Sequence, residues 1–464
     1  MFNKYSLITI FIIVGAVLGL MPALVCAHPA FPIGWYDKIG VNDLVPGWDW
    51  QWKRDTNEPA IFAAEHCNIV MPYLMEARTP RDVNIISAYL DQAQAAGVKV
   101  IMQIQPTFFA NASNITWFVN HYWKNFPAVY GWYTADEPPQ GNPDGYTVGR
   151  CVDTYNYISL YGYGYGAPLY GMGDSNKPPV FITFTPMQFR DNNEPYNYRN
   201  AYDIMIGDCY PFYIGDPEFG DPADPITGTT YWTASMDHLK AKADSLGKKW
   251  WAASQAFGTA PDGKFPTGNY RQLTTNEERY CMYYAVMNGC SGLLFFDHQY
   301  ATDAWLTNVF RPLTLEFSTY ADAIKNGPYS GGGVSNNTSG VVKSVIFADE
   351  LNGGWYLITA NRSYNNSQSS TFTITLPHGT GAISALPMNE GGRSAITINS
   401  STGQFTDTFT KWQVHIYKLQ GYTSPTYNCD DIKNEAFLAG NVNGDCKVDM
   451  KDFAEVAQDW LKVQ

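Results

Sequence analysis

"AVYGWYTADEP" (128–138) runs from an apolar, aromatic segment straight into two adjacent acids and a proline, with a second proline at 139. A continuous apolar run of this kind is what a strand buried on both faces requires, and proline cannot continue its ladder. Asp136 and Glu137 therefore fall where the strand ends. Seven other runs share the form: "IGWYD" (33–37), "NIVMPYL" (68–74), "VKVIMQIQP" (98–106), "VFITFTP" (180–186), "YDIMIGDCYP" (202–211), "KKWWAASQAFG" (248–258) and "SGLLFFDHQ" (291–299). Segments of helical period lie between them. "TPRDVNIISAYLDQAQAAG" (79–97) carries Val83, Ile86, Leu90 and Ala93 on one stripe and stops at Gly97. "TTNEERYCMYYAVMNG" (274–289) opens with a Thr-x-x-Glu capping box and closes at Gly289. Eight strand–helix units predict an α/β fold, a (β/α)8 TIM barrel over residues 28–327, with an open doubly wound sheet as the rival. The "YGYGYG" stretch (161–166) does not favour the rival, because it follows a helix-like segment and lacks dinucleotide-binding spacing.

The chain has 464 residues, enough for one large domain plus accessories, and 45% of them are hydrophobic, enough for a large core. A net charge of -13 argues against a nucleic-acid partner, since phosphate contact calls for basic patches. The N-terminus reads as an export signal over 1–27. Lys4 supplies the positive start, Leu7 to Leu20 the apolar stretch, and Val25-Cys26-Ala27 a small-residue cleavage site. An uncleaved anchor and a lipidated Cys26 are the alternatives. The chain is thus expected to be secreted or held at the cell surface.

After "IKNGPYSGGGVSNNTSG" (324–340) the apolar pattern changes to period two, in short runs separated by Gly, Asn and Ser. This predicts a small antiparallel β-sandwich over 328–420. A linker (421–428) and a third module (429–464) come next.

In a parallel barrel all strand C-termini open on one face, where the active site is built. A carboxylate backed by Trp132 and Tyr133 loses solvation there, which raises its pKa and keeps it protonated near neutrality as a general acid. The other acids predicted at strand ends are Asp208, Asp297 and, more weakly, Asp37. Trp35, Tyr36, Tyr73, Gln103, Gln105, Tyr210, Gln255 and His298 also fall at or near strand ends. Aromatic faces stack on sugar rings, and amides and phenols hydrogen-bond sugar hydroxyls, so these positions are expected to contact a carbohydrate. No zinc helix, nucleophile elbow or phosphate loop is present in the sequence.

The Asp-Glu-Pro end of the fourth strand resembles the acid/base position of the large clan of (β/α)8 glycoside hydrolases that includes barrel β-galactosidases and cellulases. The resemblance implies cleavage of O-glycosidic bonds, with Glu137 as proton donor. Asp136 stands where the clan usually has an Asn that contacts the sugar 2-hydroxyl. The clan's nucleophile is a Glu ending strand seven, and this chain has Gln255 there, which cannot form a glycosyl ester. The partner of Glu137 is left between Asp208 and Asp297, with Asp136 a third choice. A non-catalytic carbohydrate-binding barrel is the alternative function.

"NVNGDCKVDMKD" (441–452) has calcium-loop spacing. Asn441, Asn443, Asp445, the Lys447 carbonyl, Asp449 and Asp452 fall at positions one, three, five, seven, nine and twelve. With the helix after it, the loop resembles a dockerin repeat, which implies a structural Ca2+ and a cohesin-like or cell-surface partner. No cofactor is expected for catalysis. Asn441 replaces the usual Asp, Cys446 stands at the usual turn Gly, and only one clear loop is present. Cys429 and Cys446 stand apart from the other cysteines and are expected to form a disulfide in an exported chain.

Overall fold

The computed structural model describes residues 31–37, 58–72, 80–104, 112–138, 147–162, 178–190, 193–210, 232–258, 270–331, 333–349, 354–363, 367–375 and 384–421. The expected export signal, Tyr73, Gln105, the calcium-loop residues Asn441, Asn443, Asp445, Lys447, Asp449 and Asp452, and the Cys429–Cys446 pair lie outside these residues.

Eight parallel strands close on themselves: β1 (Ile33–Asp37), β2 (Ile69–Pro72), β3 (Lys99–Gln103), β4 (Val129–Ala135), β5 (Val180–Phe184), β6 (Ile204–Asp208), β7 (Lys249–Gln255) and β8 (Leu293–Phe296). The pairing of β1 with β8, Trp35 opposite Phe295, shuts the ring and excludes the open sheet. Helices alternate with the strands: α1 (Glu58–Ala64), α2 (Pro80–Ala96), α3 (Ala112–Asn125), α4 (Val148–Gly162), α5 (Pro186–Arg190) and α6 (Glu194–Asn197), α7 (Trp232–Leu246) and α8 (Thr275–Met287). The short α9 (Asp303–Trp305), α10 (Arg311–Ser318) and α11 (Ala321–Ile324) come after β8.

Successive strand residues point to opposite faces, which divides the apolar residues into two cores. Tyr36, Met71, Ile101, Tyr133, Phe181, Ile206, Trp251 and Phe296 fill the barrel interior. Their neighbours Trp35, Val70, Met102, Trp132, Ile182, Met205 and Phe295 pack outward against the helices. Both faces of the strands are thus almost wholly buried, which is why the sequence shows unbroken apolar runs.

The C-terminal strands form two antiparallel sheets. β9 (Val334–Asn336), β12 (Gln368–Ile374) and β15 (Gln404–Phe409) make one. β10 (Val342–Asp349), β11 (Gly354–Asn361), β13 (Ser384–Pro387), β14 (Ile396–Thr397) and β16 (Val414–Gln420) make the other. Phe372, Phe405 and Tyr417 pack between them. Phe347, Ile358, Val414 and Ile416 instead belong to the same core as the barrel helices, so sandwich and barrel share a continuous interior.

Candidate active site

The end of β4 is shaped by a bulge. Tyr133 pairs with Phe181 and Ala135 with Ile182, so the register shifts across Thr134. The extra residue turns Ala135 outward, into the helix-side core, and re-aims Asp136 and Glu137, a common use of bulges beside functional sites. Asp136 turns inward, where its Oδ1 accepts from Tyr36 OH at 2.9 Å and Tyr133 OH at 2.6 Å. Glu137 takes φ 43°, a left-handed conformation that costs a non-glycine residue free energy and persists only where its surroundings impose it. Two contacts impose it. The Glu137 N–H donates to the Thr183 carbonyl on β5 at 3.1 Å. The buried Gln188 Nε2 donates to the Pro138 carbonyl at 2.9 Å, while its Oε1 accepts from Thr185 N at 2.8 Å.

Asp208 ends β6 and faces the same mouth, 7% exposed. A Cβ on its neighbour Gly207 would lie 2.2 Å from a terminal methyl of Leu239 on α7, so the strand end packs closely against that helix. The Asp208 and Glu137 side chains hydrogen-bond one another, and Tyr210 also bonds Asp208. Burial, reinforced by the Asp136 charge, lifts Glu137 to about 7, and the Asp208 bond partly offsets this. Burial, then the charge of Glu137, pushes Asp208 well above the usual carboxylate range. Two carboxyls in contact cannot both ionise cheaply, so they share a proton and titrate as a pair.

Three polar atoms on the described residues near this pair are buried without a protein partner: Asp208 Oδ1, Gln103 Oε1 and Thr183 Oγ1. Each belongs to the last residues of β3, β5 or β6. Unpaired buried polar groups are costly, so a cluster at one strand-end arc is what a site for a polar ligand provides. Tyr210 stacks edge-on against Phe257, with centroids 5.0 Å apart, at the β6–β7 side of the mouth.

The remaining expected site residues are placed otherwise. Trp35 is fully buried in the helix-side core, with its Nε1 donating to Glu65 at 3.1 Å; strand alternation sends it outward when Tyr36 goes inward. His298 packs on Trp35 and Phe62 and lies 3.5 Å from Glu65, away from the acid pair. Asp297 is fully buried, and its carboxylate accepts from Gln299 N at 3.1 Å and Gln299 Nε2 at 2.9 Å, which caps the turn after β8. Gln255 is also fully buried, with Nε2 donating to the carbonyls of Phe257 and Arg271 at 3.0 and 2.9 Å. It holds the loop after β7. Asp37 ends β1. Gln188 and Thr183 were not expected from the sequence. Gln188 clamps a carbonyl 50 positions away, and no local pattern encodes such a contact.

Cys67, Cys151, Cys209, Cys281 and Cys290 are buried free thiols. No group of three or more His, Cys, Asp or Glu side chains is arranged for a metal among the described residues.

No family model matches the chain, and no curated protein matches it in sequence. Among solved structures it is similar to a family 39 glycoside hydrolase of the gut symbiont Bacteroides cellulosilyticus WH2, at 9% identity and TM-score 0.49 over 84% of this chain and 81% of that one. It is similar to the family 51 α-L-arabinofuranosidase of Bifidobacterium longum, at 11% identity and TM-score 0.48 over 85% and 96%. The α-L-arabinofuranosidase of Thermotoga maritima in its arabinose complex matches at 7% identity and TM-score 0.47 over 84% and 97%.

Proposed function

We propose that the chain is an exported glycoside hydrolase in which Glu137 protonates the departing glycosidic oxygen. The observation that carries this reading is a carboxyl held at about 7 by burial and by Asp136, at the mouth of a closed parallel barrel. A general acid works best with a pKa near the operating pH. Asp208 is read as the partner that shares the proton with Glu137 and partly offsets this rise. Asp136, accepting from two phenols, is read as the negative charge that stabilises the developing oxocarbenium ion. The export signal and a structural Ca2+ in the C-terminal loop, with a cohesin-like or cell-surface partner, belong to the same reading and rest on the sequence.

A second reading, a non-catalytic carbohydrate-binding barrel, is favoured by Gln255. The amide stands at the strand-seven position and is spent on two backbone carbonyls. Turnover on a panel of polysaccharides, measured by reducing-end release, separates the two. Release that disappears in Glu137→Gln while binding persists supports the enzyme. Binding without release in the parent chain supports the second reading.

A further inference from the structure

The sandwich is fastened to the barrel by polar contacts. Arg362 Nη2 donates to Asp237 Oδ2 at 3.0 Å, Asn389 Nδ2 to Tyr320 OH at 3.0 Å, and Arg279 Nη1 to the Val414 carbonyl. Between the two units a cavity of about 410 Å³ remains, within the size range of small-ligand sites. Asn276, Arg279 and Glu316 line it from the barrel, and Glu390, Arg393 and Gln413 from the sandwich. A second cavity of about 350 Å³ shares Arg393 and Gln413 with the first.

The charges in this cleft are already matched. Arg279 pairs with Glu316 at 2.8 Å, and Arg393 with Glu390 at 2.6 Å. An anion would meet the two carboxylates and a cation the two guanidinium groups, so a bare ion gains little here. Polar capacity nevertheless remains. Arg279 Nη2 is buried with no protein partner. Gln413 uses its Oε1 to accept from Thr410 N at 2.8 Å, which leaves its NH2 group for another acceptor. A cleft lined by amides, two guanidinium groups and two balancing carboxylates offers both donors and acceptors to the vicinal hydroxyls of a sugar.

We propose that the cleft between barrel and sandwich is a second saccharide site, separate from the barrel mouth, that takes a neutral sugar unit of a glycan chain. The proposal rests on the carbohydrate reading of the barrel for its ligand class, but on different residues. Isothermal titration of full-length Glu137→Gln, with neutral pentasaccharides of β-1,4-glucose, β-1,4-xylose and α-1,5-arabinose, tests it. At least one sugar is expected to bind at two sites. Asn276→Ala is expected to weaken the second site at least tenfold, and so is Gln413→Glu, which keeps an oxygen for Thr410 but replaces the donor with a negative charge. In the otherwise unaltered chain, both changes should leave turnover within twofold. Asp136→Ala should silence the mouth site alone. One-to-one binding for every sugar, no binding at all, no effect of either cleft variant, or displacement by sulfate would overturn the proposal. Cleft binding with a silent mouth would leave it standing while the reading of the barrel fails.

Discussion

Glu137 is worth most where its proton is held and released. Because burial raises its pKa to about 7, the acid form is present below that value, and kcat/KM is expected to fall as pH rises through it. Glu137→Gln should cost about 10²–10⁴ in kcat. Asp136→Asn removes a negative neighbour, which makes ionisation of Glu137 easier, so the alkaline limb of the pH–rate profile should move to lower pH. A limb that stays in place would show that burial alone sets the value. Gln255→Glu tests the opposite corner of the site. It would not supply a nucleophile, because the side chain is turned into two backbone carbonyls. It is expected to destabilise by about 1–3 kcal/mol in denaturant unfolding, since both carbonyls lose a donor and face a carboxylate.

The first turn of α8 shows two adjacent acids given opposite fates by their surroundings. Glu277 is held below its usual range by Arg271, with bonds of 2.8 and 2.7 Å, and by Thr274 across the capping box, against the opposing effect of burial. Glu278 is fully buried behind β7, where Ser254 Oγ donates to it at 3.0 Å and Oε2 has no protein partner. Burial lifts it to about 8 from 4.5. The helix dipole favours its charge by only about 0.3–1 kcal/mol, less than the desolvation it opposes. The folded chain therefore keeps a proton that the unfolded chain has released, and stability falls as pH rises from 4.5 to about 8. Glu278→Gln should flatten this slope and stabilise the protein by about 1–3 kcal/mol above the window, with little change below it. Thermal melts of both proteins across that range check the sign.

Barrel and sandwich are joined by a shared apolar core and by the Arg279, Arg362 and Asn389 contacts. They should unfold together. Calorimetry of the intact chain is expected to show a single transition for both units, and removal of residues 328–464 should leave a barrel that aggregates, because Tyr320, which packs on Tyr356, and Tyr284, which lies under Lys343 and Arg362, would be uncovered. Two well-separated transitions, or a soluble stable barrel, would refute the coupling. The Gly-rich stretch at 324–340 holds the sandwich strand β9 (Val334–Asn336) as well as turns, and a connection of this kind does not imply independence when its flanks pack on one core.

The eight apolar runs and their helical spacers were enough to specify the barrel, because a strand buried on both faces has few ways to be written. The period-two segments specified the sandwich for the same kind of reason. The Asp-Glu-Pro stop also placed Asp136 and Glu137 at the mouth. What the linear pattern could not contain was direction and partnership. Trp35 and Tyr36 are adjacent in sequence, and only closure of the barrel decides that one faces the helices and the other the acids. Asp208 and Asp297 both stand at the ends of apolar strands. One meets Glu137 because the Thr134 bulge and the Thr183 and Gln188 contacts turn Glu137 toward β6, and the other folds back to cap its own turn. Such contacts join residues far apart in the chain, so they exist only once the strands have closed into a ring.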